Sequence, residues 1–142
     1  MRETYYDLLR EQIIQFKTDG TEFDETIIYV PDLFRFLADL LDQEVLDREA
    51  RIMIDIALAY FVAPGDVLPE DAYGAMGYID DMFVCCHVLK TLLPQYQSTF
   101  LSLWKLDENM EEVLDRCYNY SSRFLDDKGL KGKVMRYSGL SE

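Results

Sequence analysis

Apolar residues recur at helical spacing along most of the chain, with charged residues at the intervening positions. This pattern predicts an amphipathic helix over residues 3–17 and a second helix that begins at Pro31, because proline suits the first turn of a helix. Between them, residues 27–30 are β-branched or aromatic and Val30 precedes that proline, which predicts a short extended entrance. The apolar positions are Tyr5, Leu9, Ile13 and Phe16 in the first helix, and Leu33, Phe34, Leu37, Leu40 and Leu41 in the second.

A third helix is predicted over residues 46–62, and after Arg51 it is apolar on nearly all sides. Because such a helix is normally buried, we expect it at the centre of the fold. Asp55 is its one charged interruption. If Asp55 is buried it needs a partner, and His87, Tyr60, Tyr78 and the bases of the C-terminal tail are candidates. The apolar spacing is carried by Ile52, Met53, Ile56, Ala59 and Tyr60.

The second half of the chain predicts further helices. The apolar helix that follows Asp81 should stop or kink near Pro94, and another helix is predicted over residues 94–105. The last long helix has an acid-rich start made by Asp107, Glu108, Glu111 and Glu112. The prediction is an all-α fold, a compact single-domain bundle of about five to six helices over residues 1–127. Residues 128–142 form a basic C-terminal tail, for which a disordered end, a surface helix and a lid over acids of the same chain are all open.

The composition narrows the classes of function. With 49% hydrophobic residues the chain can bury a core, and 27 acids against 14 bases leave a formal charge of −13. Such a surface repels phosphates, which disfavours direct binding to nucleic acid or anionic lipid and favours a basic protein partner or divalent cations. The longest near-apolar run, residues 52–64, is too short to span a bilayer, and residues 1–12 lack the apolar core of a signal peptide, so a cytoplasmic location is predicted.

The unusual stretch is residues 57–81, ALAYFVAPGDVLPEDAYGAMGYIDD, called here the acidic corner because it holds five acids and two prolines. No Lys or Arg occurs between Arg51 and Lys90. Carboxylates that are gathered together repel one another and need backbone N–H donors, protonation, a cation or a base from elsewhere. In one interpretation they cap helices, since Asp66 precedes a proline and Asp80 and Asp81 open the next helix.

In the alternative interpretation the same acids bind a divalent cation. Carboxylate oxygens from two successive turns could ligate Mg²⁺, Mn²⁺ or Ca²⁺, although the spacing is not that of an EF-hand loop. Paired acids also suit general acid–base chemistry, but neither a nucleophile nor a phosphate-binding loop accompanies them, so no catalytic residue is assigned. The candidate ligands are Asp66, Glu70, Asp71, Asp80 and Asp81.

Histidine and cysteine add little chemistry. His87 is the one histidine, and without a motif around it we expect a packed, hydrogen-bonded helix residue rather than a ligand or a base. Cys85 and Cys86 lie in an apolar run and Cys117 lies on the stripe of the last helix, where we expect small core residues in a reducing compartment.

Ten residues of the acidic corner form a two-part motif: Tyr60, Pro64, Asp66, Leu68, Pro69, Glu70, Gly77, Tyr78, Asp80 and Asp81. This motif resembles the signature of the YkvA-like family, a helical domain of unknown function (domain of unknown function 1232), over residues 52–90. Gly65 departs from the family pattern, which usually has an aliphatic residue there, and so do Tyr73 and Gly74, where many members have a second proline. The resemblance implies a helix-corner-helix geometry with Asp66, Asp80 and Asp81 as its acids. Gly and Pro between the two parts predict that these acids approach one another.

These observations favour a small non-enzymatic helical module that binds another protein with a basic surface, as an adapter or a regulator. The motif residues are then structural or at the interface. The alternative from another class is a divalent-metal-binding protein, with hydrolysis as its chemistry if it has any. A second alternative is a nucleic-acid mimic whose acids block a basic partner.

Overall fold

In a computed structural model, the described residues of the chain form α-helices and, before the second of them, a short 3₁₀ helix. The structure describes residues 2–20, 22–62 and 77–140. None of these residues forms a strand, which confirms the all-α prediction. The elements are α1 (Arg2–Thr18), the 3₁₀ helix (Glu25–Tyr29), α2 (Val30–Leu41), α3 (Arg48–Val62), α4 (Ile79–Leu103), α5 (Met110–Asp127) and α6 (Lys131–Ser138).

Helix α4 lies at the centre of the bundle, because it packs against α2, α3, α5 and α6. The prediction that α3 is the central helix is therefore wrong. After Arg51 every side chain of α3 except Asp55 is apolar, so the periodicity could not select its inner face. Ile52 and Ala59, which were expected on that face, point outward. The buried residues of α3 are Ala50, Ile54, Ala57, Tyr60 and Phe61.

The predicted kink in α4 is confirmed. Pro94 lies inside the helix, and Tyr96 leaves helical geometry with φ −120° and ψ 26°, because proline has no N–H to donate and crowds the preceding turn. The chain continues helically to Leu103, so the two predicted helices form one bent element. The Tyr96 hydroxyl accepts a hydrogen bond from the Asp47 backbone N at 3.0 Å, which ties the kink to the start of α3.

The predicted extended entrance over residues 27–30 is wrong. Asp24 Oδ2 accepts hydrogen bonds from Thr26 N at 3.0 Å and from Thr26 Oγ1 at 2.6 Å, and these bonds start the 3₁₀ helix. Val30 takes helical angles, φ −54° and ψ −47°, although Pro31 follows it. Full burial of Ile27 and Val30 offsets the steric preference of a residue before proline.

The last two helices close the bundle. Asn109 caps α5, since its side chain accepts a hydrogen bond from Glu112 N at 3.0 Å, and the acids of the first turn confirm the predicted acid-rich start. Of the alternatives open for the basic stretch, the structure contains a surface helix, α6. It packs on α3, α4 and α5 through the fully buried Val134. Of the helices described, none combines the length and apolar character needed to cross a membrane.

Candidate functional site

The motif residues of the acidic corner that the structure describes lie in the interior of the fold. Asp80 is 0% exposed and Asp81 is 1% exposed, and Gly77 and Tyr78 are buried beside them. Tyr60, near the end of α3, is 4% exposed. The remaining candidate residues fall outside the described ranges: Pro64, Asp66, Leu68, Pro69, Glu70 and Asp71.

A hydrogen bond within the motif joins α3 to α4. The Tyr60 hydroxyl donates to Asp80 Oδ2 at 2.9 Å. The other oxygen, Asp80 Oδ1, accepts from the Asp81 backbone N at 3.0 Å. Because leaving a buried acceptor without its partner costs about 1–3 kcal/mol, this contact holds the end of α3 against the start of α4.

The carboxyl groups of Asp80 and Asp81 lie in the first turn of α4. The N-cap residue, Tyr78, makes no side-chain capping bond there. Negative charge is favourable at this end of a helix, where backbone N–H groups lack partners within the helix. For Asp80, this position and the bond from the Asp81 backbone N agree with the capping interpretation.

Two further helices meet the motif through its tyrosines. The Tyr78 hydroxyl donates to Gln12 Oε1 on α1. The ring of Tyr137 on α6 lies edge-on to the ring of Tyr60, with 5.8 Å between their centroids. The buried motif therefore connects four helices, which gives it a structural role in the fold.

The structure describes two of the five acids that are candidate metal ligands. Over residues 2–20, 22–62 and 77–140, no group of three or more His, Cys, Asp or Glu side chains is placed to hold a metal ion. Asp80 and Asp81 are the two candidate ligands that the structure describes, whereas Asp66, Glu70 and Asp71 fall outside it. Binding of a divalent cation by these five acids stays a prediction.

A second feature, which sequence reasoning missed, is an open groove of about 720 Å³ between α2 and α3, called here the α2–α3 groove. Its walls are almost entirely apolar. The sequence signal for this groove is that α3 is apolar on both faces. One apolar face packs inward, so the other is left for a second contact. The groove is lined by Tyr5, Phe34, Ala38, Leu41, Asp55, Leu58, Ala59 and Val62.

Asp55 is the charged residue of the α2–α3 groove. Its side chain is exposed, so the condition under which it would need His87, Tyr60, Tyr78 or a base of the C-terminal tail as a partner is not met. The buried face of α3 passes through its neighbour Ile54, and consecutive helix residues point in different directions. Asp55 therefore offers its carboxylate to whatever enters the groove.

Aromatic packing supports one end of the groove. The ring of Phe34 lies 4.7 Å from the ring of Tyr5 and 5.5 Å from the ring of Phe61, measured between centroids. The Tyr5 hydroxyl donates to the Phe61 carbonyl O at 2.8 Å. These contacts join α1, α2 and α3, so this end of the groove is formed before a partner arrives.

His87 lies half-buried on α4, with its ring centroid 6.2 Å from that of Phe83. Burial lowers the pKa of the imidazole. The residue shares a small open cleft of about 250 Å³ with Lys90, Thr91 and Tyr118. Lys90 is ion-paired with Asp115, so the cleft carries no uncommitted cation to serve a reaction at His87.

The three cysteines are buried and free, which confirms the prediction of small core residues. Cys86 on α4 and Cys117 on α5 face each other. The hydrogen bond with Cys86, together with burial, raises the pKa of the Cys117 thiol. Both thiols therefore stay protonated and unreactive in the folded protein.

The protein is an all-α bundle in which a buried hydrogen bond between Tyr60 and Asp80 joins α3 to α4. Residues 50–86 match the family described as "Protein of unknown function (DUF1232)". "Uncharacterized protein ORF9" of Methanothermobacter thermautotrophicus is 31% identical over 135 residues, which cover 94% of this chain and 88% of that protein. The chain belongs to the DUF1232 family, which confirms the resemblance seen in its motif. No solved structure matches the chain.

Proposed function

We propose that this protein is a small non-enzymatic helical module that binds another protein, and that the α2–α3 groove is its binding surface. The observation that carries the proposal is the groove itself, which is open, apolar and shaped by three helices. Contiguous exposed apolar surface of this kind marks interaction sites in soluble proteins. Because Asp80 and Asp81 are buried, the proposal assigns the contact with a partner to the groove and a structural role to these acids.

Charge supports a basic partner. The chain has a formal net charge of −13, and the charge contributed by the described lining of the groove is that of Asp55. A basic surface would be steered toward such a protein, whereas a second copy of this chain would be repelled. A heterologous partner with Lys or Arg at its contact surface fits these charges better than self-association.

Photo-crosslinking from inside the native cell tests the proposal. A benzoylphenylalanine placed at Val62 lies in the groove, and one placed at Leu101 on α4 lies outside it. The two native side chains are equally exposed, at 56% each, so Leu101 is a matched control. We expect one basic protein to be crosslinked from position 62 and not from position 101.

A second variant connects the crosslink to the groove. Ala59→Gln puts a longer neutral side chain on an exposed helical position of the groove wall, and glutamine is a good helix former. It should remove the crosslink from position 62 while the protein stays folded. Equal crosslinking from Leu101, or a crosslink that persists in the Ala59→Gln protein, would contradict the proposal.

A further inference from the structure

We infer that the occupant of the α2–α3 groove is an amphipathic helix of the partner protein, which places a Lys or Arg opposite Asp55. The inference rests on the proposed function and specifies the chemistry of the partner. It is carried by the spacing of the groove walls, by the small residues on them and by the exposed carboxylate.

The two walls have the dimensions of a helix-binding site. On α2 the lining residues run from Phe34 to Leu41, and on α3 they run from Asp55 to Val62, so each row covers eight residues, a distance of seven residue steps. At a rise of 1.5 Å per residue, each row is roughly 10 Å long, which is two turns of a bound helix. Rows spaced three and four residues apart form the ridges between which another helix packs.

Small residues allow a close approach. Ala38 lies on the α2 wall and Ala59 lies on the α3 wall, with larger apolar side chains before and after them. A helix brings a cylinder of side chains and satisfies its own backbone hydrogen bonds, so it needs only apolar contact from these walls. An extended peptide would need backbone partners from a strand edge, and the described residues contain no strand.

Asp55 selects the charge of the occupant. Arg51, one turn earlier on α3, donates to the carbonyl oxygens of Leu41 at 3.0 Å and Gln43 at 2.6 Å, so its guanidinium is committed to the turn after α2. A carboxylate at the edge of an apolar groove loses water when a partner docks. A cation on the partner compensates for this loss, whereas an apolar or acidic residue there does not.

Three designed peptides test the inference. They share one amphipathic helical sequence and differ at a single position, which carries Lys, Gln or Glu. This position lies one helical turn from the apolar residues that enter the groove. Fluorescence anisotropy with the full chain should show that the Lys peptide binds about fivefold tighter than the Gln peptide and that the Glu peptide binds most weakly. Asp55→Lys should reverse this order.

The control separates a local contact from attraction to the whole acidic protein. Glu111→Lys changes the net charge by the same amount at an exposed position on α5, which contributes no residue to the groove. It should keep the preference for Lys. Identical peptide preferences in Asp55→Lys and Glu111→Lys would overturn the role of Asp55.

The outcomes also distinguish this inference from the proposed function. If none of the three peptides binds while the crosslink from position 62 still captures a basic protein, the occupant is not such a helix and only the inference fails. If the crosslink is absent or insensitive to Ala59→Gln, the proposed function fails. Binding of the Lys peptide that Ala59→Gln weakens supports both.

Discussion

Tyr60→Phe is the most direct test of the structural role given to the motif. The change removes one oxygen atom, the donor of the 2.9 Å hydrogen bond to Asp80 Oδ2, and leaves the ring in place. Both residues are buried, so water cannot replace the lost donor without opening the junction between α3 and α4.

The expected cost follows from that burial. Removing one partner of a buried hydrogen bond leaves the other with a desolvation cost of about 1–3 kcal/mol. We therefore expect the free energy of unfolding to fall by about 2 kcal/mol. For a domain of this size, 1 kcal/mol shifts the melting temperature by roughly 3 °C, so the expected shift is about 6 °C.

Urea unfolding followed by circular dichroism measures the difference, with Tyr137→Phe as the control. Tyr137 makes ring contact with Tyr60 but is 48% exposed, so the same chemical change should alter stability by less than about 0.5 kcal/mol. A double-mutant cycle with Asp80→Asn then isolates the pairwise coupling of Tyr60 and Asp80. Equal unfolding midpoints for Tyr60→Phe and Tyr137→Phe, or no coupling in the cycle, would refute the reasoning.

Three further predictions concern the rest of the site. Because burial lowers the pKa of His87, its NMR titration midpoint should lie below the ordinary value near 6.5. The contribution of His87 to the free energy of unfolding should be complete above that value and should be lost as the pH falls through the pKa of the folded protein. A midpoint at or above about 6.5 would contradict this prediction. The three buried thiols should not react with a disulfide reagent in the native protein and should all react in denaturant, whereas rapid native labelling would show that Cys86 or Cys117 is accessible. The proposed function requires no metal, so millimolar Mg²⁺, Mn²⁺ or Ca²⁺ should give no calorimetric binding heat and no thermal shift, and a saturable shift would favour the metal-binding alternative.

Hydrophobic spacing predicted the helices well where one face is polar. The first helix, expected over residues 3–17, occupies Arg2–Thr18, and the proline at the start of α2 and the kink at Pro94 both lie where the sequence placed them. These features depend on local chemistry, namely the amphipathic period and the missing N–H of proline. Local chemistry is written in the sequence, so it could be predicted.

The failures come from tertiary choices. Residues 27–30 contain strand-forming side chains, but the bonds that Thr26 makes to Asp24 and the burial of Ile27 fix a 3₁₀ helix instead. In α3 the apolar residues surround the helix, so the sequence alone does not say which face packs on α4. Whether Asp55 is buried depends on that face, so the sequence alone could not decide whether it needs a partner.

The corrected orientation of α3 separates its two contributions to the site. Its inner face carries Tyr60, which donates to Asp80, and its outer face carries Asp55 and Ala59 in the α2–α3 groove. Adjacent residues thus serve the fold and the proposed contact, and the family match over residues 50–86 includes both faces. A change at Tyr60 should act mainly through the free energy of unfolding, whereas a change at the exposed Ala59 should act mainly through binding. The motif that identifies the family therefore explains how the helices are held together, while the apolar face turned away from it accounts for the proposed function.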